Sequence, residues 1–223
     1  ILECITILLD EGGEQRHGMV TLLPSKPEYE LPGNDYQPLD SAISRCLQTG
    51  LNTIGVLSRH PADQLRGHLG RQFNKLNYAS IHVLPPLPEH TATASAIYNS
   101  VNFIDHYAPK NIVILTGDSH CGIDYKEMLF HHIETKASAT IASIPEAWGG
   151  SESHGFLISD SNTQITAVHE NLPTNGSGRA SVGAYMFKWK IPQGHLIWAN
   201  YSLPPSHDFV RDITPQIPDI GEM

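Results

Sequence analysis

Four short, largely apolar runs limit the architectures open to this chain: Cys4 to Leu9, Thr53 to Leu57, Asn111 to Leu115 and Ala139 to Ile144. A strand with one wet face alternates apolar and polar residues, so runs without that alternation read as strands covered on both faces. Such strands need helices above and below the sheet, and the sequence between them supplies candidates. From Leu39, the positions Ala42, Ile43, Cys46 and Leu47 keep helical spacing, with Asp40 near the start and Gly50 as a stop. Ala62 to Leu69 reads as a short helix, Ser80 to Leu84 as a further strand closed by Pro85-Pro86, and Ala96 to Ile104 as one helix face before Ala108-Pro109. Tyr125 to Glu134 completes the series as a helix with Met128, Leu129 and His132 on one side. The alternation of strand and helix predicts an α/β fold with a largely parallel sheet.

Beyond Ile144 the pattern changes. Phe156 to Ile158, Gln164 to Val168 and Ser181 to Phe187 are read as shorter strands between Ser, Asn, Gly and Asp clusters, which predicts antiparallel or mixed pairing. The Pro-rich, polar stretch after Trp198 is read as a loop and linker. We expect one domain over residues 1–223, with a nucleotide-facing half to about 120, a sugar-facing half over about 121–205, and a closing segment over 206–223. The chain opens on Ile1 and enters an apolar stretch at once, as a piece of a longer polypeptide would.

Composition narrows the function classes. A formal charge of -9 repels nucleic acid and anionic lipid, leaving small molecules or neutral proteins as partners. No run reaches the roughly 20 apolar residues a spanning helix needs. Cys4, Cys46 and Cys121 are too few and scattered for a disulfide framework. The expected compartment is the cytoplasm.

Candidate chemistry collects where strands end. Asn111 to Leu115 delivers Thr116-Gly117-Asp118 to a loop, and ligands of open parallel sheets bind beyond the carboxyl ends of strands. A carboxylate there is solvated, paired or bound to a metal, and metal is the favoured reading. Zinc held by Asp118, His120 and Cys121 is disfavoured, since no second closely spaced ligand pair follows. Gly12-Gly13 after the first strand is a weak phosphate-loop signal, because glycine turns follow strands for backbone reasons alone. His131 and His132 point about 100° apart on a helix, so one is expected inward and one solvated. Trp148, Trp189 and Trp198 are read as packing residues.

Taken in order, the segments Glu3 to Leu9, Lys26-Pro27, Tyr36 to Cys46, Gly50 to Leu57, Val83 to Pro86, Thr93 to Tyr98, Leu115 to Tyr125, Ala139 to Ile144, Ala180 to Trp189 and Ser206 to Phe209 resemble the glucose-1-phosphate adenylyltransferase family over nearly the whole chain. The resemblance implies a Rossmann-like mixed sheet of the sugar nucleotidyltransferase type, in three α/β/α layers. It also implies transfer of an adenylyl group from ATP to glucose 1-phosphate, giving ADP-glucose and pyrophosphate in glycogen biosynthesis. By matching position, Asp118 and Asp208 are the implied Mg²⁺ ligands, and Arg16 and Lys26 the catalytic phosphate-binding cations. Gly12, Gly13, Thr93 and Ala94 fall at nucleotide-binding positions, and Gly155 and Ser181 at sugar-binding positions.

Departures from the family are concentrated at the ligands. Its G-G-x-G-(S/T)-R loop aligns with Glu11-Gly12-Gly13-Glu14-Gln15-Arg16, so two glycines are glutamates. Its E-K-P motif is Asn171-Leu172-Pro173, without the lysine, and Ser95 replaces an acidic or amide residue. The family's long C-terminal β-helix has no counterpart within the 223 residues, so this domain alone is expected not to form the family tetramer, although association with related subunits as a homo- or hetero-oligomer stays open. The expected function is therefore an adenylyltransferase-like enzyme of impaired activity. Two alternatives stand beside it: an inactive regulatory or partner subunit, and a nucleotidyltransferase of other specificity.

Overall fold

The computed structural model describes residues 4–10, 37–58, 61–73, 79–85, 93–116, 123–145, 156–159, 165–169, 179–194, 217 and 220–222. The chain alternates strand and helix as β1 (Cys4–Asp10), α1 (Gln37–Gln48), β2 (Thr53–Ser58), α2 (Ala62–Phe73), β3 (Ser80–Val83), α3 (Thr93–Asn99), α4 (Val101–Tyr107), β4 (Asn111–Thr116), α5 (Tyr125–Glu134) and β5 (Ala139–Pro145). It continues as β6 (Phe156–Ser159), β7 (Ile165–His169), β8 (Arg179–Lys188) and β9 (Ile220–Glu222). Seven strands run across one sheet in the order β3-β2-β1-β4-β8-β5-β9, and β6 bridges β7 to β8. The pairs β1–β2, β1–β4, β2–β3 and β5–β9 are parallel, whereas β8 is antiparallel to β4, β5 and β6.

Burial on both faces is what the unbroken runs predicted. One face of the sheet, with Leu8, Ile54, Val56, Val113, Leu115, Val182 and Met186, shares a core with Leu39 and Ile43 of α1, Leu65 of α2 and Met128 of α5. The other face, with Ile5, Ile7, Ile112, Ile114, Tyr185 and Phe187, shares a core with Ala96 and Ile97 of α3 and Ile104 of α4. The layers are thus helix, sheet, helix. Local chemistry fixes the ends: the Asp124 carboxylate caps α5 by accepting from the backbone N–H groups of Lys126 and Glu127.

Several elements depart from the sequence reading. The helix read across Ala96 to Ile104 is two helices, broken at Ser100, whose hydroxyl donates to the Ala96 carbonyl at 3.0 Å and competes with the helical ladder. The helix read to Leu69 continues through Gly70 to Phe73. The strand read as Ser181 to Phe187 spans ten residues and lies inside the sheet between β4 and β5. The stretch read as a linker contributes buried Ile217 and the short strand β9.

Two interior positions carry predictions. At Gly55, where β2 faces Ile7 of β1, an added Cβ would stand 2.8 Å from Phe103 Cε1, 3.0 Å from Leu84 Cδ1 and 3.1 Å from Ile7 Cδ1. Overpacking costs about 1–3 kcal/mol against about 0.4–1 kcal/mol gained from the unfolded chain, so Gly55→Ala is expected to destabilise by about 1–2 kcal/mol in denaturant unfolding. Adding Phe103→Leu should recover part of the loss.

His132 is fully buried, with Nδ1 2.8 Å from Thr140 Oγ1 and Nε2 without a hydrogen-bond partner among the described residues. Burial pushes its pKa from 6.5 down to about 4, with the nearby charges of Lys188 and His131 adding to the effect. Below 6.5 the unfolded chain takes up a proton that the folded chain refuses until about pH 4, so stability present at neutral pH is lost across that window. At 1.36 kcal/mol per pH unit the loss by pH 4 is about 3 kcal/mol. In His132→Gln, urea unfolding should show a pH 7-to-4 difference smaller by about that amount. An unchanged difference would assign the acid sensitivity elsewhere.

Candidate functional site

The sheet order reverses between β1 and β4. From β1 the chain proceeds to β2 on one side, and from β4 to β5 on the other. In open α/β sheets such a reversal opens a crevice beyond the carboxyl ends of the two strands. Register brings those ends level, with Leu9 opposite Thr116, and neighbouring strands lie about 4.8 Å apart. β1 and β4 therefore end side by side, at the points in the sequence that precede Glu11 and Gly117.

Toward this end of the sheet the apolar face gives way to a band of polar side chains. Thr116, the last residue of β4, donates from Oγ1 to the Gly183 carbonyl of β8 at 3.4 Å. Gly183 takes φ of 76°, a conformation that favours glycine, and the pairing of β5 with β8 shifts register nearby, between Ile141 and Ser143. Because β8 runs against its neighbours, its first residues stand at the carboxyl ends of β4 and β5. Ser181 is buried there opposite Ser143, and its hydroxyl donates to the Tyr185 hydroxyl at 2.9 Å. Half-buried Arg179 donates from Nε to Ser143 Oγ at 2.8 Å and from Nη2 to the Ser143 carbonyl at 3.1 Å.

Of the residues singled out from sequence, Ser181 lies in this band, and buried Ala94 belongs to the same core cluster as Leu9 and Leu57. Thr93 opens α3. Gly12, Gly13, Arg16, Lys26, Asp118, Gly155 and Asp208 lie outside the described residues, as do Trp148 and Trp198. Trp189 is buried as expected, with Nε1 donating to Asp105 at 2.6 Å. The sequence reading missed Tyr185, Ser143 and Arg179. Tyr185 carries one available signal, its separation of four residues from Ser181 along a strand.

Other chemistry is disfavoured by environment. Burial pushes the thiols of Cys4 and Cys46 up to about 12, so neither is an activated nucleophile. Burial also raises the Asp40 carboxyl, opposed by His68, whose Nε2 lies 2.7 and 2.9 Å from its two oxygens and ties α2 to α1. Among the described residues no cluster of three His, Cys, Asp or Glu could hold a metal, and no helix is long and apolar enough to cross a membrane.

The chain matches the nucleotidyl transferase family model over residues 20–223. It is 32% identical over 225 residues to a glucose-1-phosphate adenylyltransferase of Desulfitobacterium hafniense, covering 96% of this chain and 56% of that protein. A glucose-1-phosphate adenylyltransferase of Bacillus subtilis is 31% identical over 223 residues, with 96% and 58% covered. The chain thus spans little more than half the length of these relatives. Among solved structures, HddC from Yersinia pseudotuberculosis superposes with a TM-score of 0.68 over 98% of this chain and 88% of that one, at 19% identity, a likeness of fold.

Proposed function

The chain belongs to the nucleotidyl transferase family, and we propose that it is a glucose-1-phosphate adenylyltransferase-like domain that joins ATP to glucose 1-phosphate, with nucleotide binding weakened by its own loop. The observation that supports this reading is the reversal of strand order at β1 and β4, whose carboxyl ends lie level and side by side. The identities of 30–32% to proteins of that name support the choice of nucleotide and sugar.

In this reading Asp118 and Asp208 would hold Mg²⁺, since carboxylates are the hard oxygen donors that this ion prefers. The ion would neutralise charge on the phosphates. Arg16 and Lys26 bind the same phosphates, Gly12 and Gly13 bring backbone N–H groups to them, and Thr93 and Ala94 border the nucleotide. Gly155 and Ser181 serve the sugar side. The reaction needs the sugar phosphate oxygen in line with the α-phosphorus, so alignment is the main task of these groups.

Glu11, Glu14 and Leu172 favour a second reading, a non-catalytic regulatory or partner subunit. Calorimetric titration with ATP and Mg²⁺, then with ADP-glucose, combined with an assay for ADP-glucose formation, separates the two. Turnover supports the enzyme, whereas ADP-glucose binding without turnover supports the subunit. Failure to bind ADP-glucose, with no turnover, would refute both.

A further inference from the structure

We infer that Arg179 is an anion contact for the phosphate of the second substrate, an inference that rests on the proposed sugar phosphate site. Arg179 opens β8 opposite Pro145, the last residue of β5, and opposite Leu157 of β6, so it stands at the carboxyl rim of the sheet. A guanidinium holds five N–H donors in one plane, and anchoring Nε and Nη2 on Ser143 fixes the direction of that plane. Such an orientation suits the oxygen fork of a phosphate monoester.

Its place across the sheet selects which phosphate it meets. β8 lies two strands from β1, the strand that Gly12 and Gly13 follow in sequence, about 10 Å at the usual spacing. Among the described residues Arg179 is also the one Lys or Arg carried on a strand at the carboxyl rim; Lys188 pairs with Asn111 at the other end. In a chain of net charge -9, a dianionic ligand needs such a local cation to offset the general repulsion.

Calorimetry with glucose 1-phosphate and inorganic phosphate on the parent, Arg179→Ala and Arg179→Lys, and with MgATP on the same three in the Glu11→Gly, Glu14→Gly background, tests the inference, with thermal unfolding recorded for each. Arg179→Ala is expected to weaken glucose 1-phosphate and phosphate binding by at least about tenfold, with the MgATP isotherm unchanged and Arg179→Lys recovering part of the loss. Unchanged glucose 1-phosphate binding in folded Arg179→Ala overturns the inference and leaves the proposed function standing. An equal loss for MgATP also overturns it, as does unaltered binding in Arg179→Lys if the alanine variant does not fold. A parent that binds no glucose 1-phosphate overturns the reading of the site and this inference together.

Discussion

Glycine at both positions 11 and 14 is expected to tighten MgATP binding by at least about tenfold. Both positions follow β1 in the sequence, whose end lies level with that of β4, and in the proposed reading they meet the triphosphate. Two unit charges about 4 Å apart at an effective dielectric of 20 repel by roughly 4 kcal/mol. At 1.36 kcal/mol per factor of ten this approaches a thousandfold in affinity, before salt screening and side-chain rotation reduce it. Bare backbone also lets N–H groups approach the phosphates more closely than a side chain allows. The parent is accordingly expected to bind MgATP weakly or not at all, and the comparison is an ATP titration of both proteins at fixed Mg²⁺ and ionic strength. Tight binding by the parent, or no gain in Glu11→Gly with Glu14→Gly, means that the carboxylates point away. Turnover is expected to rise further with Leu172→Lys, because nucleophile and leaving group must both be held.

Loss of either Asp118 or Asp208 should be as large in the opposite direction. If their carboxylates share one ion, each Asp→Asn change removes a charged oxygen ligand, and an effect of about 3 kcal/mol corresponds to more than a hundredfold in metal affinity. Because both act on one ion, the double variant should lose less than the product of the single losses. Mn²⁺ titration followed by paramagnetic relaxation measures this on the double-glycine background with ATP present. An effect confined to Asp118, or a structure with the two carboxylates more than about 10 Å apart, would separate them into different sites.

The layer plan was legible in the sequence because it is a local property. Runs such as Asn111 to Leu115 have no wet face, so helices on both sides follow from composition over five or six residues. A carboxylate two residues after such a strand is likewise visible without knowing any neighbour. The polar band was less legible. Ser181 was found by resemblance to a family, whereas Arg179 and Ser143 are 36 residues apart and meet because β8 returns antiparallel to β5.

Strand order is the step no local pattern carries. Nothing in Arg179 to Lys188 announces that it enters the sheet between β4 and β5, or that the tail reaches back to lay Ile220 against Ala139. Periodicity reports which faces are buried, and strands buried on both faces look alike whichever neighbours they have. The same limit hid the Asp40–His68 pair, joined across 28 residues, and the unpartnered nitrogen of His132. Sequence therefore told most of the segments that are strands and helices, and which faces are dry. Order across the sheet, antiparallel return and the partners of buried polar groups were settled by long-range packing, whose free energy depends on residues far apart along the chain.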